Sequence, residues 1–566
     1  MAAWSGLLAS LLAILACTAQ AQPADTILIG GKVVVFDAPP AEALAVRGNA
    51  IAAVGTSAEI EAFAGEATRV VDLAGRTVIP GLIDSHIHAI RAGSSWQTEV
   101  SWIGVRSLSD ALGRLRDKAS ATPRGTWLVV AGGWVPLQFA EERGPTQAEI
   151  AAAAPDHPVY VQLLYSRALL GPGAAEALGL SGSGALPLPV SIERDAGGTP
   201  TGWVSGGSRA ISDLFDRLPQ PDFRQRVAGT RAFFRELNRH GLTGIADPGG
   251  YNLPVAAYQP LFQVWQDGVL TLRVRYSICA PRPGHELADL QELTRLLPMG
   301  FGDGWLRFNG IGENVAWGMY DNDAPSPVQK DELAEVLRWA ASRGLAATFH
   351  WTDDRSVHHL LEVLERVNAA TPVAGLRWSI AHLHGASPGS LARMKALGVG
   401  WLVQNAFFFR GEAFLAQRGP EAVARGVPPI VSALEMGLPV GGGTDAHRVM
   451  WFSPFVSLQW MLDGKTIGGL AMRPPSELPS RLQALRLYSE GSAWFAFDDA
   501  RRGRLAPGML ADLAVLSADY MTVPVEEVGA ITSLLTMVDG RVVFAEGPYR
   551  SFEEVVPLSR PSLPRR

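Results

Sequence analysis

The chain has 566 residues, which is too many for one small core, so we expect one large domain and at least one smaller one. Apolar residues make up 47% of it and charged residues 18%, as in ordinary globular proteins. A formal net charge of −6 and the lack of a dense basic stretch argue against nucleic-acid binding. The charge does not identify a substrate.

Residues 1–21 have the pattern of a secretory signal peptide. A short apolar run at 7–15 precedes Ala19-Gln20-Ala21, a small-x-small cleavage site. The sequence around Cys17 resembles a lipoprotein box, so lipidation is an alternative, and a retained anchor is a third. We expect a periplasmic or secreted protein with no membrane span, since no later apolar run is long enough for one. Cleavage would leave Cys279, which its apolar context predicts to be buried.

Both ends of the mature chain are rich in β-forming residues. Runs at 26–35 and 43–54 are interrupted by Gly30-Gly31 and Gly48-Asn49, and we interpret them as hairpins. Runs at 511–516, 533–538 and 541–544 have the same character, with Asp539-Gly540 as a tight turn. We therefore predict one small β-sandwich domain built from 22–76 and 497–566.

The middle of the chain, residues 77–496, alternates strand-like and helix-like segments. The predicted strands are 77–86, 241–247, 271–278, 305–311, 345–350, 377–382, 398–404 and 438–444. Eight such units in succession predict an α/β fold of the closed (β/α)₈ TIM-barrel type. The stretch at about 93–237 is too long for one connection, and we predict an insertion near the barrel mouth that contributes to substrate selection.

Several metal-ligand residue types fall at the carboxyl ends of these predicted strands, where barrel enzymes carry their chemistry. His86 and His88 end the first strand, and alternation along a strand would place both imidazoles on one face. His350 ends the fifth strand, His382 ends the sixth, and Asp445 follows the eighth. Imidazoles and a carboxylate suit Zn²⁺ or a similar divalent ion. Asp445 has a second possible role, the transfer of a proton between water and a leaving group.

The motif Pro-Gly-Leu-Ile-Asp-Ser-His-Ile-His at 80–88 resembles the opening of the amidohydrolase superfamily. The later His350, His382 and Asp445 are similar in order, and residues 503–513 resemble the segment that returns such chains to their small β-sandwich. The insertion, with Gly-Thr-Pro-Thr-Gly at 198–202, looks most like the amidohydrolase-3 (YtcJ-like) branch. The resemblance implies a metal-dependent hydrolase and leaves the substrate open.

Two departures from the family pattern bear on the site. Many relatives bridge two metals with a carboxylated lysine on the fourth strand, but none of the five lysines of this chain lies there. Arg307 takes the comparable position and cannot form that bridge, whereas Glu313 is the nearest carboxylate. The site therefore holds either two metals bridged by Glu313 or one metal. The usual histidine of the insertion is replaced by Tyr165-Ser166-Arg167, so Tyr165 or Arg167 is expected to contact substrate.

Further candidates surround the predicted mouth of the barrel. His384 and His447 each lie two residues beyond a ligand candidate and are expected to orient substrate or ligands. Trp351, together with other aromatic residues, either packs under the loops or forms an apolar wall for a bulky substrate group. Asp247 ends the second strand and is a candidate for orienting a ligand.

The leading functional prediction is a metal-dependent hydrolase that cleaves an amide-type carbon–nitrogen bond in a small molecule. Asp445 would carry the proton, and His382 or His384 would help to stabilise the oxyanion. An ester or lactone hydrolase with the same site is an alternative, and a metal-containing binding protein without catalysis is a third. The oligomeric state, a homo-oligomer included, is left open by the sequence.

Overall fold

The computed structural model describes residues 22–180, 186, 188–250, 253–424 and 427–554. The predicted signal peptide lies outside these residues. The strands are β1 (Thr26–Ile29), β2 (Lys32–Val33), β3 (Ala43–Arg47), β4 (Ala50–Gly55), β5 (Arg69–Asp72), β6 (Thr77–Pro80), β7 (Leu82–Asp84), β8 (Leu128–Val130), β9 (Val159–Leu163), β10 (Arg167–Leu170), β11 (Val190–Arg194), β12 (Pro200–Gly206), β13 (Leu242–Asp247), β14 (Arg273–Ile278), β15 (Leu306–Ile311), β16 (Thr348–Trp351), β17 (Ser379–His382), β18 (Gly400–Gln404), β19 (Val440–Gly443), β20 (Leu513–Leu516), β21 (Ser533–Val538) and β22 (Arg541–Ala545).

The helices separate most of the strands of the middle region. They are α1 (Ser57–Glu61), α2 (Ala89–Ser95), α3 (Leu108–Ser120), α4 (Gln147–Ala153), α5 (Ala174–Ala177), α6 (Ser208–Asp216), α7 (Phe223–Arg239), α8 (Gln259–Gln266), α9 (Glu286–Leu293), α10 (Pro327–Ser342), α11 (Asp354–Ala370), α12 (Pro388–Leu397), α13 (Ala406–Arg418), α14 (Pro420–Ala424), α15 (Ile430–Glu435), α16 (Pro454–Asp463), α17 (Arg481–Arg486) and α18 (Ser492–Phe495). Within the described part of the chain, none of them combines the length and the apolar character that crossing a membrane requires.

Two four-stranded parallel sheets form the centre of this α/β fold. One has the order β15-β14-β13-β7 and the other β16-β17-β18-β19. A parallel bridge between Ile311 and Ala347 connects β15 to β16. At the other edges of the two sheets, β7 and β19 also meet. The amide of Ser85, the residue after β7, donates to the carbonyl of Gly442 in β19 at 3.0 Å. Each of the eight predicted middle segments therefore overlaps a strand of these two sheets, and contacts connect the two sheets on both sides.

The first predicted strand of this region, 77–86, is wrong as a single element. It breaks at Gly81 into β6, which pairs with β2 and β20, and β7, which pairs with β13. The reason is steric, since a Cβ at Gly81 would lie 2.3 Å from Thr243 Cγ2. The glycine lets the backbone pass closely over β13 as the chain leaves one sheet for the other.

Strands from the two ends of the chain pair with each other. β6 lies antiparallel to β20 within the sheet β2-β6-β20-β21-β22, and a second sheet has the order β4-β3-β1-β5. Leu28, Leu44, Leu513 and Met537 belong to one buried cluster that both sheets contribute to. The predicted hairpin at Gly30-Gly31 is wrong, because β1 and β2 belong to different sheets. The pair β3–β4 is antiparallel as expected.

The long stretch after β7 has a sheet of its own. Its five strands have the order β11-β12-β10-β9-β8, and all five lie within the predicted insertion at about 93–237. This sheet presents Tyr165, in the β9–β10 turn, to Arg91 of α2 at 2.8 Å from hydroxyl to Nη1. The inserted segment is thus in direct contact with the helix that follows the His86–His88 motif.

Candidate metal centre

Asp84 fixes the backbone that presents the first two histidines. Its buried carboxylate accepts hydrogen bonds from the His86 amide at 3.0 Å and from the Thr444 hydroxyl at 2.6 Å. These bonds connect the end of β7 to the end of β19, so His86 and Asp445 are held side by side. Burial raises the pKa of Asp84 to about 7, against the lowering effect of these hydrogen bonds.

His382 and Asp445 have left-handed backbone conformations, with φ of +73° and +55°. Residues with a Cβ rarely adopt this region, and such strain is found where the surrounding structure requires one side-chain direction. The amide of His382 is held by the Gln404 side chain at 2.8 Å, and the amide of Asp445 by the His86 carbonyl at 2.8 Å. The loops after β17 and β19 therefore aim both side chains at the cluster formed by the other histidines.

The structure brings together all six residues predicted as metal ligands. Their donor atoms form three overlapping groups, each within 4.8 Å: His86, His88 and Glu313; Glu313, His350 and His382; and His86, His382 and Asp445. The shortest contact in the cluster, 3.0 Å, joins His382 Nε2 to His350 Nδ1. Imidazole and carboxylate donors at such spacing match the ligand preference of zinc and similar divalent ions.

Glu313 lies between the two histidine pairs. Its Oε2 is 3.4 Å from His86 Nε2 and 3.2 Å from His350 Nδ1, and its Oε1 is 3.6 Å from His88 Nε2. Burial alone would raise the pKa of Glu313, but the charge of His350 and its hydrogen bond hold that pKa well below its usual range. An ionised carboxylate thus sits between the two histidine pairs.

Arg307, which takes the comparable position in the sequence, points elsewhere. It donates to Asp498 Oδ1 at 2.8 Å, in an ion cluster with Arg275 and Arg502 that is separate from the histidines.

His86 provides the sharpest test of whether a metal fits. The residue has 0% exposure, and both ring nitrogens lack a hydrogen-bond partner among the described residues. A buried polar atom without a partner costs about 1–3 kcal/mol. A cation bound at Nε2 would satisfy that nitrogen beside the carboxylates of Glu313 and Asp445, so the donor set fits a divalent ion.

Two of the histidines are oriented by groups outside the cluster. His88 Nδ1 is 2.7 Å from the Gly249 carbonyl, and Asp247 accepts the Gly249 amide at 2.9 Å and the Ile90 amide at 2.8 Å. Asp247 thereby supports the loop that orients His88. His350 Nε2 is 3.5 Å from Asp321 Oδ2, which leaves Nδ1 for the centre of the cluster.

The loop after β15 contains residues that the sequence analysis missed. The Tyr320 ring stacks on His350 at 4.2 Å between centroids, and Asp321 is fixed by the Thr352 amide at 2.6 Å and its hydroxyl at 2.8 Å. The one signal in the sequence was a Tyr-Asp pair in the loop after a predicted strand. Such pairs are too common in loops to identify a functional residue. Sequence spacing gave no indication that this loop folds back over His350.

The residues predicted to contact substrate differ in where they lie. Tyr165 binds Arg91, and the His384 ring is 5.9 Å from the His382 ring. Trp351 is buried and donates to Ser356 at 2.8 Å. Arg167 is paired with Glu193 at 2.8 Å and lies over the Trp203 ring, within the sheet of the inserted segment.

The His447 side chain contacts residues outside the ligand cluster. Its Nε2 contacts Glu99 Oε2 at 2.9 Å, and its ring lies among those of Trp96 and Phe233. Direct contact of any of these side chains with substrate stays a prediction.

Cys279 is buried as expected, and burial raises the pKa of its thiol to about 12.

Comparison with known proteins identifies a family for this chain. Residues 69–544 match the family model described as the amidohydrolase family, Amidohydro_3. The chain is similar to the N-substituted formamide deformylase of Arthrobacter pascens, with 24% identity over 87% of this chain and 92% of the relative. It is also similar to the putative amidohydrolase YtcJ of Bacillus subtilis, with 23% identity over 86% and 92%.

A solved structure has the same fold. An uncharacterised metal-dependent hydrolase from Pyrococcus horikoshii superposes with a TM-score of 0.63 and 20% identity, over 88% of this chain and 99% of that one. The family model covers most of the chain, and the six donor residues lie within its range. This chain therefore belongs to the amidohydrolase family and is a hydrolase.

Proposed function

We propose that this hydrolase cleaves an amide-type carbon–nitrogen bond, other than a peptide bond, in a small molecule. The observation that carries the proposal is the cluster of four imidazoles and two carboxylates that includes buried His86, whose ring nitrogens make no hydrogen bond within the described part of the chain. The similarity to a relative named as an N-substituted formamide deformylase supports amides as the first substrates to test. The amidohydrolase family to which the chain belongs supports the same reaction class.

We assign the metal-binding role to the six clustered residues: His86, His88, Glu313, His350, His382 and Asp445. The imidazole-rich donor set favours Zn²⁺. The position of Glu313 between the two histidine pairs favours two ions over one, with Glu313 in place of the bridging lysine of relatives. When bound, such ions would polarise the substrate carbonyl and lower the pKa of water towards about 7.

Asp445 is assigned the proton-carrying role. Burial raises the pKa of its carboxyl, but the hydrogen bond from His88 and the charges of His382, His88 and His86 outweigh burial and hold the pKa at about 2. The carboxylate is therefore ionised and able to accept the proton of the attacking water. It then delivers that proton to the departing nitrogen, which lets the carbon–nitrogen bond break.

Stabilisation of the oxyanion is assigned to His382 or His384. His384 lies beside His382, and burial together with the nearby charges of His382 and Arg410 lowers its pKa to about 3. A neutral imidazole at this place can donate one hydrogen bond to a developing negative charge. We assign substrate contact to Tyr165, which is held by Arg91, and to the apolar wall around Trp351.

The wider architecture is part of the proposal. The contacts at both sides of the two parallel sheets support a closed (β/α)₈ barrel over the predicted 77–496, except that β6 at its start pairs within an outer sheet. The shared core of the outer sheets supports a β-sandwich that combines 22–76 and 497–566 with β6. The insertion at about 93–237 would cover the mouth. The pattern of residues 1–21 supports export to the periplasm or beyond.

Paired amide and ester probes test this function. The purified protein, loaded with Zn²⁺, is assayed against N-benzylformamide and benzyl formate, with and without a chelator. We expect amide hydrolysis that the chelator abolishes and Zn²⁺ restores. Hydrolysis of the ester alone would mean that the enzyme cleaves an ester bond and not an amide bond. Metal binding without hydrolysis of either probe would favour a binding protein.

A further inference from the structure

Arg410 lies on α13, the helix that follows β18 at the carboxyl ends of the central strands. Phe407 and Phe414 are three residues before it and four after it, so helical spacing places all three on one face. The two phenylalanine rings are 4.5 Å apart, and that of Phe407 is 4.8 Å from His384. Since His384 adjoins His382, this face of α13 borders the metal-ligand cluster.

The Arg410 guanidinium is available for a ligand. The residue is exposed, whereas Phe407 beside it is buried. Among the described residues the guanidinium has no hydrogen bond, ion pair or ring contact. Its charge nevertheless acts on the site, where it attracts the Asp445 carboxylate and disfavours protonation of His384. A cation with five donor hydrogens and no acceptor therefore borders the proposed reaction centre.

Other arginines near the site are already engaged. Arg91 donates to the Tyr165 hydroxyl at 2.8 Å, and Arg448 packs 3.7 Å above the Phe215 ring. Arg418, on the same helix, pairs with Asp353. These groups have partners within the protein, and Arg410 differs from them in this respect.

We propose that Arg410 binds a carboxylate on the substrate, so that the enzyme prefers amides carrying a negative charge on the part of the molecule that faces α13. The planar guanidinium matches the two oxygens of a carboxylate, and such paired hydrogen bonds are stronger than those between neutral groups. Arg410 determines specificity and takes no part in bond cleavage. The inference rests on the proposed amide hydrolysis and names its substrate class.

A pair of nearly isosteric substrates tests the inference. N-(4-carboxybenzyl)formamide and N-(4-nitrobenzyl)formamide have similar shapes, and only the first carries a net charge. Wild type is compared with Arg410→Ala, Arg410→Lys and the matched control Arg224→Ala, which removes an exposed arginine of α7. A phosphonate analogue shows whether the site selects a carboxylate or any oxyanion.

We expect wild type to prefer the carboxylate substrate and Arg410→Ala to lose about 10- to 100-fold in kcat/KM for it, as for a hydrogen bond to a charged group. The loss should appear mainly in KM, with the nitro substrate changed less than about threefold. Arg410→Lys should restore part of the preference, because it keeps the charge. Arg224→Ala should behave as wild type, and metal content should be equal in all four proteins.

Several results would overturn the inference. Equal kcat/KM of wild type and Arg410→Ala on the carboxylate substrate would do so, as would an equal fall on both substrates. A higher kcat/KM for the phosphonate than for the carboxylate substrate would mean that Arg410 recognises a different oxyanion. If wild type hydrolyses neither formamide, the proposed function fails. Calorimetric binding of the carboxylate compound to wild type and Arg410→Ala then decides the role of Arg410 by itself.

Discussion

Substitution of Asp445 by asparagine separates proton transfer from metal binding. The asparagine has the same size and keeps one oxygen, so the contact with His88 Nε2, now 3.1 Å from Asp445 Oδ1, can persist. The amide cannot accept the proton of water. Five of the six donors in the cluster stay in place. The perturbation thus removes the proposed base while leaving most of the metal-binding groups.

The expected loss follows from the two proton transfers assigned to this carboxylate. General acid–base catalysis contributes about 10²- to 10⁴-fold in rate, and one group performing both steps should lie in the upper half of that range. We therefore expect kcat to fall by about 10³-fold or more, which is about 4 kcal/mol in activation free energy. KM should change only a few-fold, because no substrate contact is lost.

The assay is steady-state hydrolysis of N-benzylformamide, with metal content measured by elemental analysis on the same preparations. Asp323→Asn is the matched control, because it removes an exposed carboxylate from the loop before α10. If Asp445→Asn keeps more than a tenth of wild-type kcat at full metal occupancy, another group carries the proton. If its rate returns when excess Zn²⁺ is supplied, Asp445 is a ligand and not the base.

Three further predictions concern groups around the site and under it. Asp321→Asn should weaken metal retention in a chelator titration by about 10- to 100-fold, because His350 loses its orienting carboxylate, while the Asp323→Asn control stays unchanged. Gly443→Ala places a methyl 2.8 Å from the His86 amide nitrogen, so it should lower metal content and cost about 1–3 kcal/mol of stability in thermal unfolding. Gly207→Ala, whose methyl meets nothing within 4 Å, is its control, and equal metal content in the two would contradict the steric reasoning. Asp498 is buried, yet its arginine partners hold its pKa at about 2, below the unfolded value, so its stabilising effect is present above about pH 4 and lost as pH falls towards 2. The Tm deficit of Asp498→Asn should therefore be largest near neutral pH and shrink on acidification, and a constant deficit would exclude this linkage.

The central strands and the clustering of the histidines could be predicted from the sequence because both follow local rules. Apolar runs of strand length, separated by amphipathic helices, indicate a parallel α/β arrangement. In such a fold the strand ends converge, so the proximity of His350, His382 and Asp445 could be predicted from sequence position. The same reasoning was enough to predict that they cluster with His86.

Other features depend on contacts between distant segments. The break at Gly81 arises from the close approach of Thr243, which no local pattern indicates. Asp321 reaches His350 because its loop folds back over β16, and His447 turns to Glu99 of the inserted segment. The availability of Arg410 is also a tertiary property, because in sequence it resembles any arginine on a helix.

The central claim is a metal centre organised by Glu313, and the most direct test is metal content per chain in wild type and Glu313→Gln. Both proteins are purified, supplied with Zn²⁺, passed through a desalting column and analysed for metal, with Asp323→Asn as the control. We predict two ions per chain in wild type and one or none in Glu313→Gln, because the shared carboxylate contacts both histidine pairs. One ion in each would mean a mononuclear site without Glu313. No ion in either would contradict the account.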